Sequence, residues 1–199
     1  MLKLKKIAIT GGVASGKSTV CQLFQELGAF VVSADAIVHE LLDPQTDLGQ
    51  QIIRILGASI LQHGKINRRL VAEKVFQDPK RLHQLEQILH PAVLESVKNK
   101  YQEACQAGIH TAFVVEIPLL FEIGKEKEFD AIIAVIADEE IAKQRFQQKG
   151  HTSLEYEQRM SHQISPSIKS QKAHSTIINN GSIPELRQQV KKLAELYFS

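Results

Sequence analysis

Apolar residues along this chain fall into two alternating rhythms. Short unbroken runs, Ile7-Ala8-Ile9, Phe30-Val31-Val32, Thr111–Ile117, Ala131–Ala137 and Thr176-Ile177-Ile178, read as strands. They lack polar alternation, which predicts burial on both faces, as in a parallel sheet covered by helices. Elsewhere the spacing is helical. Val20, Leu23, Phe24 and Leu27 follow Lys17 at helical intervals, with Gly28 placed as a C-cap. Ser182-x-x-Glu185, with Pro184 in the first turn, opens a last helix whose apolar face is Leu186, Val190, Leu193 and Tyr197.

The pattern predicts an α/β fold of three layers around a parallel five-stranded sheet. Two stretches interrupt it. Residues 36–108 show helical patterns broken at Pro44, Gly57, Gly64 and Pro91, with no convincing strand, and read as a helical insertion. Residues 138–173 are helical and polar, with Gly150 separating two helices, and read as a helical hairpin acting as a lid. The expected organisation is a single domain. Its core is about 1–35, 109–137 and 174–199, with an insertion at about 36–108 and a lid at about 138–173.

Composition narrows this further. In 199 residues, 43% hydrophobic and 23% charged, there is material for a buried core. The formal net charge of +2 gives no electrostatic case for nucleic acid or an anionic membrane. No run approaches the roughly 20 apolar residues of a membrane span. The leading Lys3, Lys5 and Lys6 precede an apolar run that stops at Gly11, too short for a signal peptide. Two cysteines, Cys21 and Cys105, form no disulfide framework and no metal spacing, which points to a reducing cytoplasm. Monomer or weak homo-oligomer is the expectation for assembly.

The clearest chemistry lies in Gly11-Gly12-Val13-Ala14-Ser15-Gly16-Lys17-Ser18, a match to G-x-x-x-x-G-K-[ST] between a strand and an amphipathic helix. Its glycines let successive N–H groups turn inward around a phosphate, and the helix N-terminus adds positive potential. Lys17 would reach the β- and γ-phosphates, and the Ser18 hydroxyl would be a Mg²⁺ ligand.

Three further positions have two readings each. Asp35 follows the second strand, where open α/β sheets place ligands, and either accepts a hydroxyl proton or caps the helix Ala36–Leu42. His39, one turn on, is a ligand contact or a solvated residue. Glu116 ends the third strand and either holds Mg²⁺ through water or is a buried, hydrogen-bonded structural carboxylate. Arg145, with Lys149 a turn later, is a surface cation or an arginine carried to transferring phosphate by the lid.

Several stretches together resemble the dephospho-coenzyme A kinase family: the loop TGGVASGKSTV, Ala34-Asp35, Ile66-Asn67-Arg68-Arg69 continuing to Val75-Phe76, LEQILHPAV (Leu85–Val93) and IPLLFE (Ile117–Glu122). Arg145, Arg159, Gln163 and Ile178-Asn179-Asn180-Gly181 also match its pattern. The resemblance spans nearly the whole chain. It implies a P-loop kinase fold and transfer of the ATP γ-phosphoryl group to the 3′-hydroxyl of dephospho-coenzyme A. It also implies ATP contacts through Gly11 to Thr19 and Asn180, with Ser18 and Glu116 at the metal. Asp35, Lys17 and Arg145 become catalytic, and Asp35, His39, Arg68, Arg69, His90, Pro91, Leu119 and Leu120 face the acceptor. The chain departs from the family at Ser33, where its signature has Asp, at Lys149, where a second lid arginine is common, at Lys169, where Arg is typical, and at Ala173-His174, where Ala-Asp is typical. A related small-molecule kinase would share the loop but not LEQILHP and IPLLFE. A GTPase-type module would need an Asn-Lys-x-Asp stretch, which does not occur. A catalytically weak homologue kept as a binding protein would not need Lys17, Ser18, Asp35 and Arg145.

Overall fold

The computed structural model describes residues 3–76 and 78–198. Along the chain, β1 (Lys6–Gly11) leads through the glycine loop to α1 (Lys17–Glu26), β2 (Phe30–Ser33) and α2 (Ala34–Leu41). Next come α3 (Asp47–Leu56), β3 (Leu61–Gln62), β4 (Lys65–Ile66), α4 (Arg68–Phe76) and α5 (Pro79–Ala107). The remainder is β5 (Phe113–Glu116), β6 (Ala131–Ile136), α6 (Glu139–Gln148), α7 (Ser153–Ser161), α8 (Pro166–Lys172), β7 (Ser175–Ile178) and α9 (Ile183–Tyr197). Contacts divide the chain into two compact units, one built up to Ser33 and from Tyr101 onward, the other Ala34–Lys100.

The first unit holds a five-stranded sheet in the order β2-β5-β1-β6-β7, parallel throughout. Its strands are buried on both faces, as the unbroken apolar runs require: Ile7, Ala8, Ile9, Val114, Val115 and Ile133 have no exposed surface. Ile7, Ile9, Val114, Ile133 and Val135 pack with Val20 and Phe24 of α1 and with Leu186 and Val190 of α9. Gly28, at φ 95°, ends α1: its N–H donates to Gln25 O (3.0 Å) and that of Ala29 to Phe24 O (3.1 Å), a Schellman closure that turns the chain into β2. Leu27, expected on the apolar face, lies past the helix and is 37% exposed.

The second unit has its own core of Leu42, Ile52, Leu56, Ile60, Ile66, Val71, Val75 and Leu85. Two expectations fail here. A small antiparallel hairpin, β3–β4, pairs Leu61 with Ile66 and Gln62 with Lys65 where no strand was expected. His63 (φ 50°) and Gly64 (φ 75°) both take positive φ in its turn, the conformation that matches strand twist in a two-residue loop. Pro91 does not break the chain, because α5 runs through it. A proline inside a helix withholds one N–H, here from Gln87 O, and the neighbouring turns continue regardless.

Residues 138–173 form three helices, not a two-helix hairpin. Gly150 does separate α6 from α7, but Ser165 and Pro166 start a further helix, with Ser165 Oγ accepting from Ile168 N at 3.3 Å and Pro166 at its first position. No helix among the described residues is long and apolar enough to cross a membrane.

Candidate active site

The glycine loop leaves the carboxyl end of β1, the middle strand, at the point where the sheet order reverses around it. Open parallel sheets receive ligands there. Gly11 (φ 146°) has no room for a side chain, since a Cβ would lie 2.0 Å from Val135 O on β6. Gly16 (φ 96°) is closed likewise by the Asn179 amide. Ala14 takes the left-handed conformation at φ 52°. The loop is thus wedged between β6 and the segment after β7.

Lys17, in the first turn of α1, donates from Nζ to Gly12 O at 2.7 Å and Gly11 O at 3.3 Å. Its cation is therefore held on the loop itself. Ser18 Oγ donates to Glu116 Oε1 at 3.0 Å, and Ser18 is exposed. These two oxygens suit a divalent cation that keeps several waters and takes its other ligands from phosphate. Among the described residues no cluster of three or more His, Cys, Asp or Glu offers a full protein cage. Cys21, one turn further, is buried, and burial followed by the nearby Glu116 carboxylate pushes its thiol well up, so it behaves as an apolar side chain.

Arg145, on α6, donates from Nη1 to Asn179 O at 2.8 Å. Asn179 Nδ2 donates in turn to Ser15 O at 2.8 Å, so one asparagine joins the phosphate loop to the arginine. Ala14, Gly16, Thr19, Arg145, Lys149 and Asn179 line a cleft of about 220 Å³. Asn180, the expected ATP contact, accepts from Asp138 N at 2.8 Å through Oδ1. Asn179 entered the sequence reading only within the Ile178-Asn179-Asn180-Gly181 match, with no role of its own. Its signal was present, an asparagine directly after the strand that flanks the loop. Val13 and Ala14 also pack against the small core of α6 and α7 formed by Ala142, Phe146 and Tyr156.

Leu119 is 40% exposed and Leu120 fully buried, so Leu119 has the surface to offer a ligand. In the second unit Asp35 stands inside the first turn of α2 rather than before it. Asp35 and His39 are exposed and one turn apart on the same helix. Arg68 and Arg69 open α4, whose N-terminus is capped by Asn67 Oδ1 accepting from Arg69 N (2.9 Å) and Leu70 N (3.3 Å). Arg69 forms an exposed pair with Glu73 at 3.0 Å, and Arg68 is exposed. His90 is half-buried and Pro91 exposed in the middle of α5.

The sequence matches the family model for dephospho-CoA kinase over residues 5–185. The dephospho-CoA kinase of Protochlamydia amoebophila is 46% identical over 195 residues, covering 97% of this chain and 96% of that protein. The structure of TT1252 from Thermus thermophilus superposes with a TM-score of 0.84 at 30% identity, covering 98% and 99% of the two chains. The dephospho-CoA kinase from Campylobacter jejuni gives 0.70 at 30% identity over 96% and 95%. With its phosphate loop, parallel sheet and full-length match, the chain belongs to the dephospho-CoA kinase family.

Proposed function

We propose that the chain transfers the γ-phosphoryl group of ATP to the 3′-hydroxyl of dephospho-coenzyme A, the last step of coenzyme A synthesis. The observation that carries the mechanism is the loop after β1, with Lys17 held on its carbonyls and Ser18 tied to Glu116. In this reading the acceptor oxygen attacks the γ-phosphorus, the bond to the β–γ bridging oxygen breaks, and ADP leaves. The hydroxyl proton passes to Asp35, whose exposed carboxylate in the first turn of α2 suits that role.

Lys17 exchanges its loop carbonyls for phosphate oxygens. Arg145 leaves Asn179 O to neutralise charge on the group in flight, the main task a protein performs in phosphoryl transfer. Ser18 and Glu116 would hold Mg²⁺, which when bound screens the β- and γ-oxygens. Arg68, Arg69, His39 and Leu119 are assigned to the acceptor. The setting is a reducing cytoplasm, in keeping with free Cys21 and Cys105.

The test is ADP release from Mg²⁺-ATP with dephospho-coenzyme A, AMP, shikimate or gluconate as acceptor. Release that depends on dephospho-coenzyme A and disappears in Lys17→Ala is the expected result. Release stimulated by another acceptor alone would overturn the acceptor, and release unaffected by Lys17→Ala would overturn the mechanism.

A further inference from the structure

Among the described residues Lys17 and Lys169 are the buried charged side chains, and Lys169, with no exposed surface, is the one the reaction outlined above makes no use of. It lies on α8, and its ammonium makes three contacts: Pro118 O at 2.6 Å, Glu122 Oε1 at 2.9 Å and Gln163 Oε1 at 3.2 Å. An ammonium has three donors, so the set is complete. Glu122 is less well served. Its Oε1 also accepts from Ile164 N at 3.0 Å, while its Oε2 is buried with no hydrogen-bond partner.

As a stability device this is poor. A buried ion pair repays its desolvation only when every lone pair is satisfied, and two apolar side chains would serve as well. Burial pulls the lysine below its ordinary range, with Glu122 opposing that shift. What the cluster does achieve is connection. Pro118 O, one of its acceptors, also accepts from Thr10 Oγ1 at 3.1 Å. Thr10 directly precedes Gly11, and Pro118 lies two residues beyond Glu116. At the start of α8, Pro166 packs on the loop so closely that a Cβ on Gly12 would meet its Cγ at 3.2 Å. Gly11-Gly12, Thr10, Pro118, Lys169 and Pro166 therefore form a closed circuit with the lysine at its centre.

We propose that Lys169 is a positioning residue for nucleotide binding: through Pro118, Gln163 and Glu122 it fixes α8 and the chain leaving β5 against the phosphate loop, holding Gly12 and Glu116 in place for the phosphates. The inference deepens the kinase reading and rests on it for the identity of the nucleotide.

The experiment compares wild type with Lys169→Met, Lys169→Met/Glu122→Leu and Lys169→Arg. It reads Mg²⁺-ATP affinity by calorimetry and the two KM values from turnover. The double variant removes both buried charges, so it avoids the stranded carboxylate of the single one. Its ATP Kd is expected to rise about tenfold and kcat to fall, as small misplacements near phosphate do, with KM for dephospho-coenzyme A unchanged. Lys169→Arg, which keeps the charge and donors, recovers most of the loss. A purely structural role would lower the active fraction without moving either KM. A folded double variant with wild-type ATP Kd overturns the proposal, as does an equal rise in both KM values. Should the double variant not fold, Gln163→Met removes one acceptor and no charge. It is expected to weaken ATP by about threefold, and no change there overturns the proposal. Wild-type protein that binds ATP but ignores dephospho-coenzyme A would instead overturn the proposed reaction, and the calorimetric comparison would still decide Lys169.

Discussion

Ser18 Oγ and Glu116 Oε1 meet at 3.0 Å although 98 residues of chain separate them. The parallel pairing of β1 with β5 brings them together: Ile9 is opposite Glu116, and the chain from Ile9 needs only the glycine loop to reach α1. Strand register thus delivers a carboxylate to a hydroxyl. The carboxylate at the end of β5 therefore has its hydrogen-bond partner at the start of α1, beside the glycine loop.

Ser18→Ala should therefore act on the metal more than on the fold. The Mg²⁺ concentration for half-maximal ADP release is expected to rise about tenfold, the cost of one lost ligand. Ser18 is exposed, so the melting temperature should hardly move. An unchanged Mg²⁺ dependence would remove Ser18 from the metal site.

Gly11→Ala tests the wedge between loop and sheet. The obstacle is the backbone oxygen of Val135, which cannot rotate away as a side chain would. We expect a loss of about 3 kcal/mol, or a melting temperature lower by about 10 °C in a chain of this size. Gly150→Ala is the comparison: its φ is 86° but nothing lies within 4 Å of an added Cβ, so about 1 kcal/mol of backbone strain is all it should show. Equal melting shifts for the two would mean that the contact with β6 is not limiting.

The difference between what sequence revealed and what it hid follows the range of the interactions. The glycine loop, the apolar strands and the Ser182–Glu185 cap are written in consecutive residues, and each was legible. Asn179, whose amide reaches Ser15 O across 164 residues, was legible only as one residue of the Ile178-Asn179-Asn180-Gly181 match, without its contact. Lys169 was legible only as a position where the family typically has Arg, and only packing shows it without exposed surface. The β3–β4 hairpin is two residues per strand, below the length at which alternation can be seen. Pro91 misled in the other direction, because a strong local breaker was overruled by the helix on both sides of it.

Asp35→Asn separates the catalytic reading from a structural one. Asp35 is exposed and lies within the first turn of α2, so its carboxylate is not needed as the helix cap. Loss of a general base is expected to lower kcat about 10²-fold or more. KM for ATP should stay within about twofold, since uniform binding of the nucleotide is untouched. A collapse of ATP affinity with kcat preserved would give Asp35 to the metal or the phosphates instead.

Acid should unfold this chain partly through two exposed caps. The Ser182 N–H and hydroxyl donate to Glu185 Oε2 at 2.6 and 2.8 Å, and together they hold that carboxyl below its ordinary value of 4.5. Thr152 does the same for Glu155 at the start of α7, through its N–H at 2.7 Å and its hydroxyl at 3.0 Å. A carboxyl whose folded pKa is depressed stabilises the fold above its unfolded pKa and loses that contribution as pH falls through the folded one. For Glu185 the loss begins near 4.5 and continues below it, and it loosens the start of α9, whose Leu186 and Val190 are packed in the sheet core. Melting temperatures of wild type and Glu185→Gln, followed from about pH 6 to about pH 3, should converge as acid removes the charge that the variant never had. Curves that stay parallel over that range would show that the cap holds α9 by hydrogen bonding alone, independent of the carboxylate's charge.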